Sequence, residues 1–174
     1  MAPAPFSLVG SLSEFEWRDE TPNIGTLFPD SNVQLAEILV RPDSDTLIRD
    51  LATLVSHRGV VFFKRQNLDP KQLKELGTRL GELSGKPKSS TLHKHPISES
   101  LPELGADISV ISSQRYVPFF LLSSYKFMNI EYSVSGIARA DYVKGGRASN
   151  GWHTDITFEK VPSDYTVCMA RLLC

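Results

Sequence analysis

The sequence predicts a mixed α/β (α+β) fold, with two helices in its first half and a β sandwich or barrel after them. Two segments repeat apolar residues at helical spacing, and a short, wholly apolar run lies between them. After Lys86 the helical period disappears, and short apolar stretches between turn-forming residues follow. Helices that precede several β segments are typical of a fold whose later strands pair into a sandwich or close into a barrel.

The length and composition are those of a globular protein of one domain, or of part of a larger one. The 174 residues are 41% hydrophobic and 22% charged. A formal charge of −1, from 19 Lys and Arg against 20 Asp and Glu, excludes a strongly basic nucleic-acid-binding protein. No apolar run approaches the roughly 20 residues that span a bilayer, and residues 1–10 do not resemble a secretory signal. With only two cysteines, we expect a cytoplasmic protein with neither a membrane nor a nucleic-acid partner.

The first 39 residues carry weak structural signals. Residues 1–31 contain four prolines and scattered aromatic residues without a steady period, which indicates an extended N-terminal lead-in. Residues 32–39 alternate apolar and polar positions around Val33 and Leu35, which predicts a short strand.

The segment between Asp43 and Gly59 is the clearest helix. Its apolar residues share one face at helical spacing: Leu47, Ile48, Leu51, Leu54 and Val55. Asp43 or Ser44 can cap its beginning, and Gly59 supplies its end. The run Val60–Phe63 that follows predicts a buried strand, because all four of its residues are apolar.

A second helix is predicted between Asp69 and Ser84. Asp69 can act as the N-cap, Pro70 suits the first helical position, and Gln72 completes a capping-box-like pair with Asp69. The apolar stripe of this helix consists of leucines three or four residues apart: Leu73, Leu76, Leu80 and Leu83.

The part of the chain after Lys86 contains short predicted strands and one atypical segment. The strands are residues 91–95, 108–111 and 152–158, with a weaker one at 165–169. Residues 116–142 hold four of the five tyrosines and show no persistent period. Since a structureless loop of that length is unusual inside a compact domain, we treat this segment as an atypical insert.

The strongest chemical signal is the tripeptide His153-Thr154-Asp155. On a strand, residues i and i+2 share a face, so the imidazole and the carboxylate would converge from one side. Such a pair supplies two of the three ligands in the 2-His-1-carboxylate triad that holds non-haem Fe(II). The spacing alone is a weak signal, because a simple hydrogen-bonded His–Asp pair shares it.

The other histidines leave several interpretations open. His93 and His95 can be a structural or surface pair, a second pair of metal ligands, or an imidazole that binds an anion at a pocket wall. His57 lies in the last turn of the first predicted helix, where a positive charge suits the helix dipole.

These residues belong to three longer blocks in a characteristic order. The blocks are 57–63 with Gln66 and 68–72, then 80–83 with 93–96, and then 152–159 with Pro162. Together they resemble the TauD/TfdA family of Fe(II)- and 2-oxoglutarate-dependent dioxygenases, in particular a fungal branch that oxidises taurine and other sulfonates. The resemblance covers residues 32–113 and 146–167.

The resemblance implies a double-stranded β-helix, or jelly-roll, core and an oxidoreductase with Fe(II) as cofactor. 2-Oxoglutarate and O2 are the implied co-substrates, and a small sulfonate would be hydroxylated and release sulfite. His153 and Asp155 match the first two iron ligands of the family. His95 matches the residue that contacts the sulfonate, an anion that accepts charge-assisted hydrogen bonds. No catalytic residue is implied apart from these binding residues.

Two departures from the family pattern concern the substrate. The family's best-known member has a tyrosine where this chain has Ser98, and an asparagine that contacts substrate where it has Ser149. Asn150, next to Ser149, is the candidate replacement for that contact. Taurine itself is therefore disfavoured, while another sulfonate or a related small acid fits.

A further departure concerns residues that the family carries far downstream of the His-x-Asp block. They are a second iron-binding histidine, an arginine that binds 2-oxoglutarate and a threonine, and residues 156–174 offer no counterpart. We therefore expect residues 32–174 to be the N-terminal part of a dioxygenase domain, truncated at the C-terminus, with an incomplete jelly roll and little activity alone.

Two rival hypotheses remain open. The chain can be a non-catalytic fragment or mis-spliced gene product, or a small metal-binding module that uses His93, His95, His153 and Asp155. The insert at 116–142 is explained either as translated intron, since residues 116–117 can be encoded by a splice-donor-like string, or as a lineage-specific insertion. A homo-oligomer is compatible with the sequence.

Overall fold

The computed structural model describes residues 8–29, 33–94, 104–108, 156 and 159–169. The chain divides into two compact units, Met1–Leu92 with Ser163–Cys174, and His93–Pro162. In the described residues, all helices and strands belong to the first unit. The elements are a 3-10 helix (Gly10–Glu14), strands β1 (Arg18–Asp19), β2 (Thr26–Phe28) and β3 (Val61–Phe63), and helices α1 (Leu35–Ile38), α2 (Ser44–Arg58) and α3 (Pro70–Leu83). This content confirms the predicted mixed α/β class.

The three strands form one small sheet with β2 in the middle. β1 pairs antiparallel with β2, and β3 pairs parallel with β2. A parallel pair needs a long crossover connection, which the chain supplies through α1 and α2. The parallel ladder places Thr26 opposite Val61, Leu27 opposite Phe62 and Phe28 opposite Phe63.

Strand β3 confirms the predicted strand at 60–63 to within one residue, but its predicted burial is wrong, because none of its three residues is fully buried. The rings of Phe28 and Phe63 stack with centroids 4.7 Å apart, and Val61 and Phe63 pack against the core. Phe62 is 48% exposed. Side chains alternate across a strand, so Phe62 lies on the face opposite to the core.

Helix α2 follows the predicted helix from beginning to end. Its apolar stripe is buried except for the half-buried Val55, and the helix packs against α3, the 3-10 helix and α1. The helix ends at Gly59, whose φ of 72° favours glycine, and Gly59 N–H donates to Val55 O at 2.8 Å.

The N-cap position of α2 is Asp43, but its side chain makes no capping hydrogen bond. Both Asp43 oxygens instead accept from Arg41, at 2.8 and 2.7 Å. These hydrogen bonds from the Arg41 guanidinium lower the pKa of the Asp43 carboxyl. Arg41 also donates to Glu14 at 2.6 Å, which joins the beginning of α2 to the 3-10 helix.

Helix α3 confirms the predicted capping box. Asp69 Oδ1 accepts from Gln72 N–H at 2.7 Å, and Gln72 Oε1 accepts from Asp69 N–H at 2.9 Å. Pro70 occupies the first turn, where a missing N–H costs nothing. Leu76 and Leu80 of the leucine stripe are buried, and Leu73 and Leu83 pack beside them.

The predicted strand at 32–39 is wrong where the structure describes it. Residues Leu35–Ile38 form α1 instead. One helical turn brings Leu35, Ile38 and Leu39 onto the same side, so all three are buried. An alternating strand would have placed Ile38 and Leu39 on opposite faces.

The lead-in contributes more structure than its sequence indicates. Residues 10–28 supply the 3-10 helix and two of the three strands. Phe15 packs against the core, whereas Trp17 stays partly exposed.

The later predicted strands lie largely outside the described residues. The described residues 91–94 and 165–169 carry no strand assignment. Residues 165–169 nevertheless alternate in burial, with Tyr165, Val167 and Met169 packed against the core of the first unit. Tyr165 Oη lies 3.2 Å from Ser56 Oγ on α2. No helix in the described ranges is long and apolar enough to cross a membrane.

Candidate metal and substrate site

The predicted site residues lie outside the described residues, as does the insert at 116–142. His153 and Asp155 as metal ligands, and His95 and Asn150 as substrate contacts, therefore stay predictions. Within the described ranges, no group of three or more His, Cys, Asp or Glu residues could hold a metal ion. The donor chemistry of an imidazole with a carboxylate suits Fe(II).

The structure describes the residues that flank the His-Thr-Asp block on its C-terminal side. Ile156 is half-buried, and its carbonyl accepts from Glu159 N–H at 3.0 Å, which closes a tight turn. Residues 159–164 after this turn are exposed.

The structure also describes the residues that lead into the His-Lys-His-Pro block. His93 is half-buried, and its Nε2 atom is shielded from water. Its Nδ1 atom lies 3.7 Å from Glu159 Oε1 within the second unit. This proximity favours a structural role for His93 over a surface position. Sequence reasoning included Glu159 in a motif block but assigned it no contact, since nothing local links it to His93.

Two residues of the first motif block, Gln66 and Arg58, make long-range hydrogen bonds within the first unit. Gln66 Oε1 accepts from Leu35 N–H at 2.8 Å, and Gln66 Nε2 donates to Val33 O at 2.6 Å and Lys64 O at 2.9 Å. One amide side chain thus joins the end of β3 to the beginning of α1. Gln66 has a structural role in the first unit.

Arg58 is the most heavily hydrogen-bonded side chain of that block. Its side chain is 7% exposed and donates to Thr21 O at 2.6 Å, Gly25 O at 2.8 Å and Pro22 O at 3.0 Å. Its Nη2 atom also lies 3.2 Å from Asp19 Oδ1. A single guanidinium therefore satisfies the carbonyls of the β1–β2 connection, a role that the sequence alone did not indicate.

Comparison with known families shows where the chain belongs. Residues 18–172 match the family described as "Taurine catabolism dioxygenase TauD, TfdA family". The chain belongs to the TauD/TfdA family. The match begins at β1 and spans all three motif blocks, so the family assignment predicted from those blocks is confirmed.

Several curated relatives of this TauD/TfdA chain are fungal. Alpha-ketoglutarate-dependent dioxygenase esdpJ of Penicillium shearii is 40% identical over 163 residues, which are 93% of the chain and 39% of the relative. The dioxygenase btcD of Neocamarosporium betae is 37% identical, over 94% of the chain and 44% of the relative. The dioxygenase oryG of Aspergillus oryzae is 38% identical, over 95% of the chain and 43% of the relative.

The chain therefore spans about two fifths of the length of the curated relatives it matches. No solved structure matches it significantly.

Proposed function

We propose that the chain carries two metal ligands and part of the substrate wall of an Fe(II)- and 2-oxoglutarate-dependent dioxygenase. The supporting observation is the family match across residues 18–172, which includes the His-Thr-Asp block. The similar proteins named alpha-ketoglutarate-dependent dioxygenases add to it. In this proposal the chain builds toward a jelly-roll core.

Each predicted site residue then has a role that follows from its chemistry. The His153 imidazole and the Asp155 carboxylate would hold Fe(II) together with the second histidine that the family carries downstream. Bound Fe(II) and 2-oxoglutarate supply the oxidising power for C–H hydroxylation. His95 donates a hydrogen bond to an acidic group of the substrate, and the Asn150 amide donates a second one.

The substrate in this proposal is a small organic acid, with sulfonates as the first class to test. A sulfonate offers only acceptor oxygens, which suits imidazole and amide donors. Ser98 and Ser149 replace the larger polar residues expected for taurine, so a sulfonate without the taurine amine, or with a bulkier group, fits better.

The test is succinate formation from 2-oxoglutarate with Fe(II), O2 and a panel of sulfonates and carboxylic acids. We expect the full-length natural protein to form succinate, and a member of the panel to raise the rate. The 174-residue chain alone is expected to form little, because the family places a third ligand and a 2-oxoglutarate-binding arginine in residues that it does not contain.

Two outcomes would contradict the proposal. One is a full-length protein whose succinate formation equals that of its His153→Ala variant. The other is hydrolytic activity with bound Zn2+ and no succinate, which would favour the metal-binding module.

A further inference from the structure

The side chains of His93 and Glu159 face each other within the second unit, although they are far apart in the sequence. The 3.7 Å between His93 Nδ1 and Glu159 Oε1 is longer than a hydrogen bond and falls within ion-pair range when the imidazole is protonated. The His93 side chain is 21% exposed and that of Glu159 is 45% exposed. The imidazole is thus largely enclosed by protein, while the carboxylate still reaches water.

Each partner stands beside a block that the proposed function uses. His93 precedes His95 by two positions, and Glu159 follows Asp155 by four. A hydrogen bond of 3.0 Å from Glu159 N–H to Ile156 O links Glu159 to the residue that directly follows Asp155 in the sequence. The contact therefore connects a residue just before the predicted substrate contact His95 with a residue just after the predicted metal ligand Asp155.

We propose that His93 and Glu159 form a positioning pair that keeps the His-Lys-His-Pro segment in register with the metal-binding block. This inference rests on the proposed function. Neither His93 nor Glu159 contacts metal or substrate in this proposal, because both act by positioning His95 and Asp155. Groups that hydrogen-bond directly to metal ligands contribute about 10- to 100-fold to metal affinity or activity, and for a pair that acts through the backbone we expect the low end of that range. A partly exposed pair stabilises a fold little, so a positioning effect is separable from unfolding.

The test compares four variants of the full-length natural protein. They are His93→Gln, Glu159→Gln, the two combined, and the exchange of His93→Glu with Glu159→His. Matched controls are Lys94→Gln and Lys160→Gln, which change the neighbouring residues and keep the pair. Two quantities are measured for each variant. The first is the dissociation constant for Co(II) in the absence of other ligands, monitored through the visible absorption of bound Co(II), and the second is the melting temperature.

We expect each single variant to bind Co(II) about tenfold more weakly than the parent. The double variant should bind no more weakly than a single one, and the exchange should recover most of the affinity. Both controls should stay within about twofold of the parent, and all melting temperatures should stay close to those of the controls.

Three results would overturn the inference. An unchanged Co(II) affinity in both single variants would contradict the positioning role but not the proposed function. Losses that multiply in the double variant show that the residues act independently. A parent protein that neither binds Co(II) nor forms succinate overturns the proposed function itself, and the positioning role with it.

Discussion

Replacement of His153 or Asp155 by alanine in the full-length natural protein is expected to lower its Fe(II)-dependent succinate formation by at least about 100-fold. Each change removes an inner ligand, and the loss should exceed the 10- to 100-fold effect typical of an outer partner. Fe(II) affinity should fall with the rate, because water must replace the lost ligand. Asp155→Glu should retain more affinity than Asp155→Ala, since it keeps the carboxylate.

The chain offers a matched control for each of these changes. His57 is exposed on α2, and Asp164 is exposed in the segment after the turn. His57→Ala and Asp164→Ala should leave succinate formation and Fe(II) affinity within about twofold of the parent, because exposed positions rarely matter. Equal rates in His153→Ala and His57→Ala would contradict the assignment of His153.

Replacement of Arg58 by methionine is expected to destabilise the protein by about 3 kcal/mol or more. The change removes the donors to three backbone carbonyls and leaves Asp19 without its buried cation. For a chain of this size, that corresponds to a drop of roughly 6–12 °C in melting temperature. Thermal and urea unfolding of the purified variant measure the effect.

Arg49 on the same helix provides the control for the Arg58 change. Arg49 is exposed, so Arg49→Met should cost less than about 0.5 kcal/mol. The loss of stability in Arg58→Lys should lie between those of Arg49→Met and Arg58→Met, because an ammonium keeps the charge but lacks the planar guanidinium that reaches several carbonyls. A free energy of unfolding for Arg58→Met within 1 kcal/mol of Arg49→Met would contradict the structural role of Arg58.

Helices α2 and α3 were predictable because their signals are local. The leucine stripe and the capping box at Asp69 and Gln72 both belong to α3, and the glycine that ends α2 directly follows that helix in the sequence. Residues 32–39 were misassigned because a single turn of α1 is too short to show a helical period. Its geometry depends on Gln66, which lies far along the chain and accepts from Leu35 N–H.

Strands β1 and β2, the pairing of the sheet and the long-range contacts were not predictable from sequence patterns. β1 has two residues and β2 has three, too few for an alternation to appear. Arg58 looked like an ordinary cation at the end of a helix, because its carbonyl partners belong to a connection that only the tertiary fold brings close. At the candidate site, the His-Thr-Asp motif is a local pattern whose role as a metal site stays a prediction, whereas the approach of Glu159 to His93 has no local sequence signal.

The most direct test of the central claim is a crystal of the full-length natural protein grown anaerobically with Fe(II) and 2-oxoglutarate, with anomalous scattering recorded at the iron edge. The proposal predicts one strong anomalous peak within bonding distance of both the His153 imidazole and the Asp155 carboxylate. A peak bound by other residues, with His153 and Asp155 turned away from it, would contradict the claim.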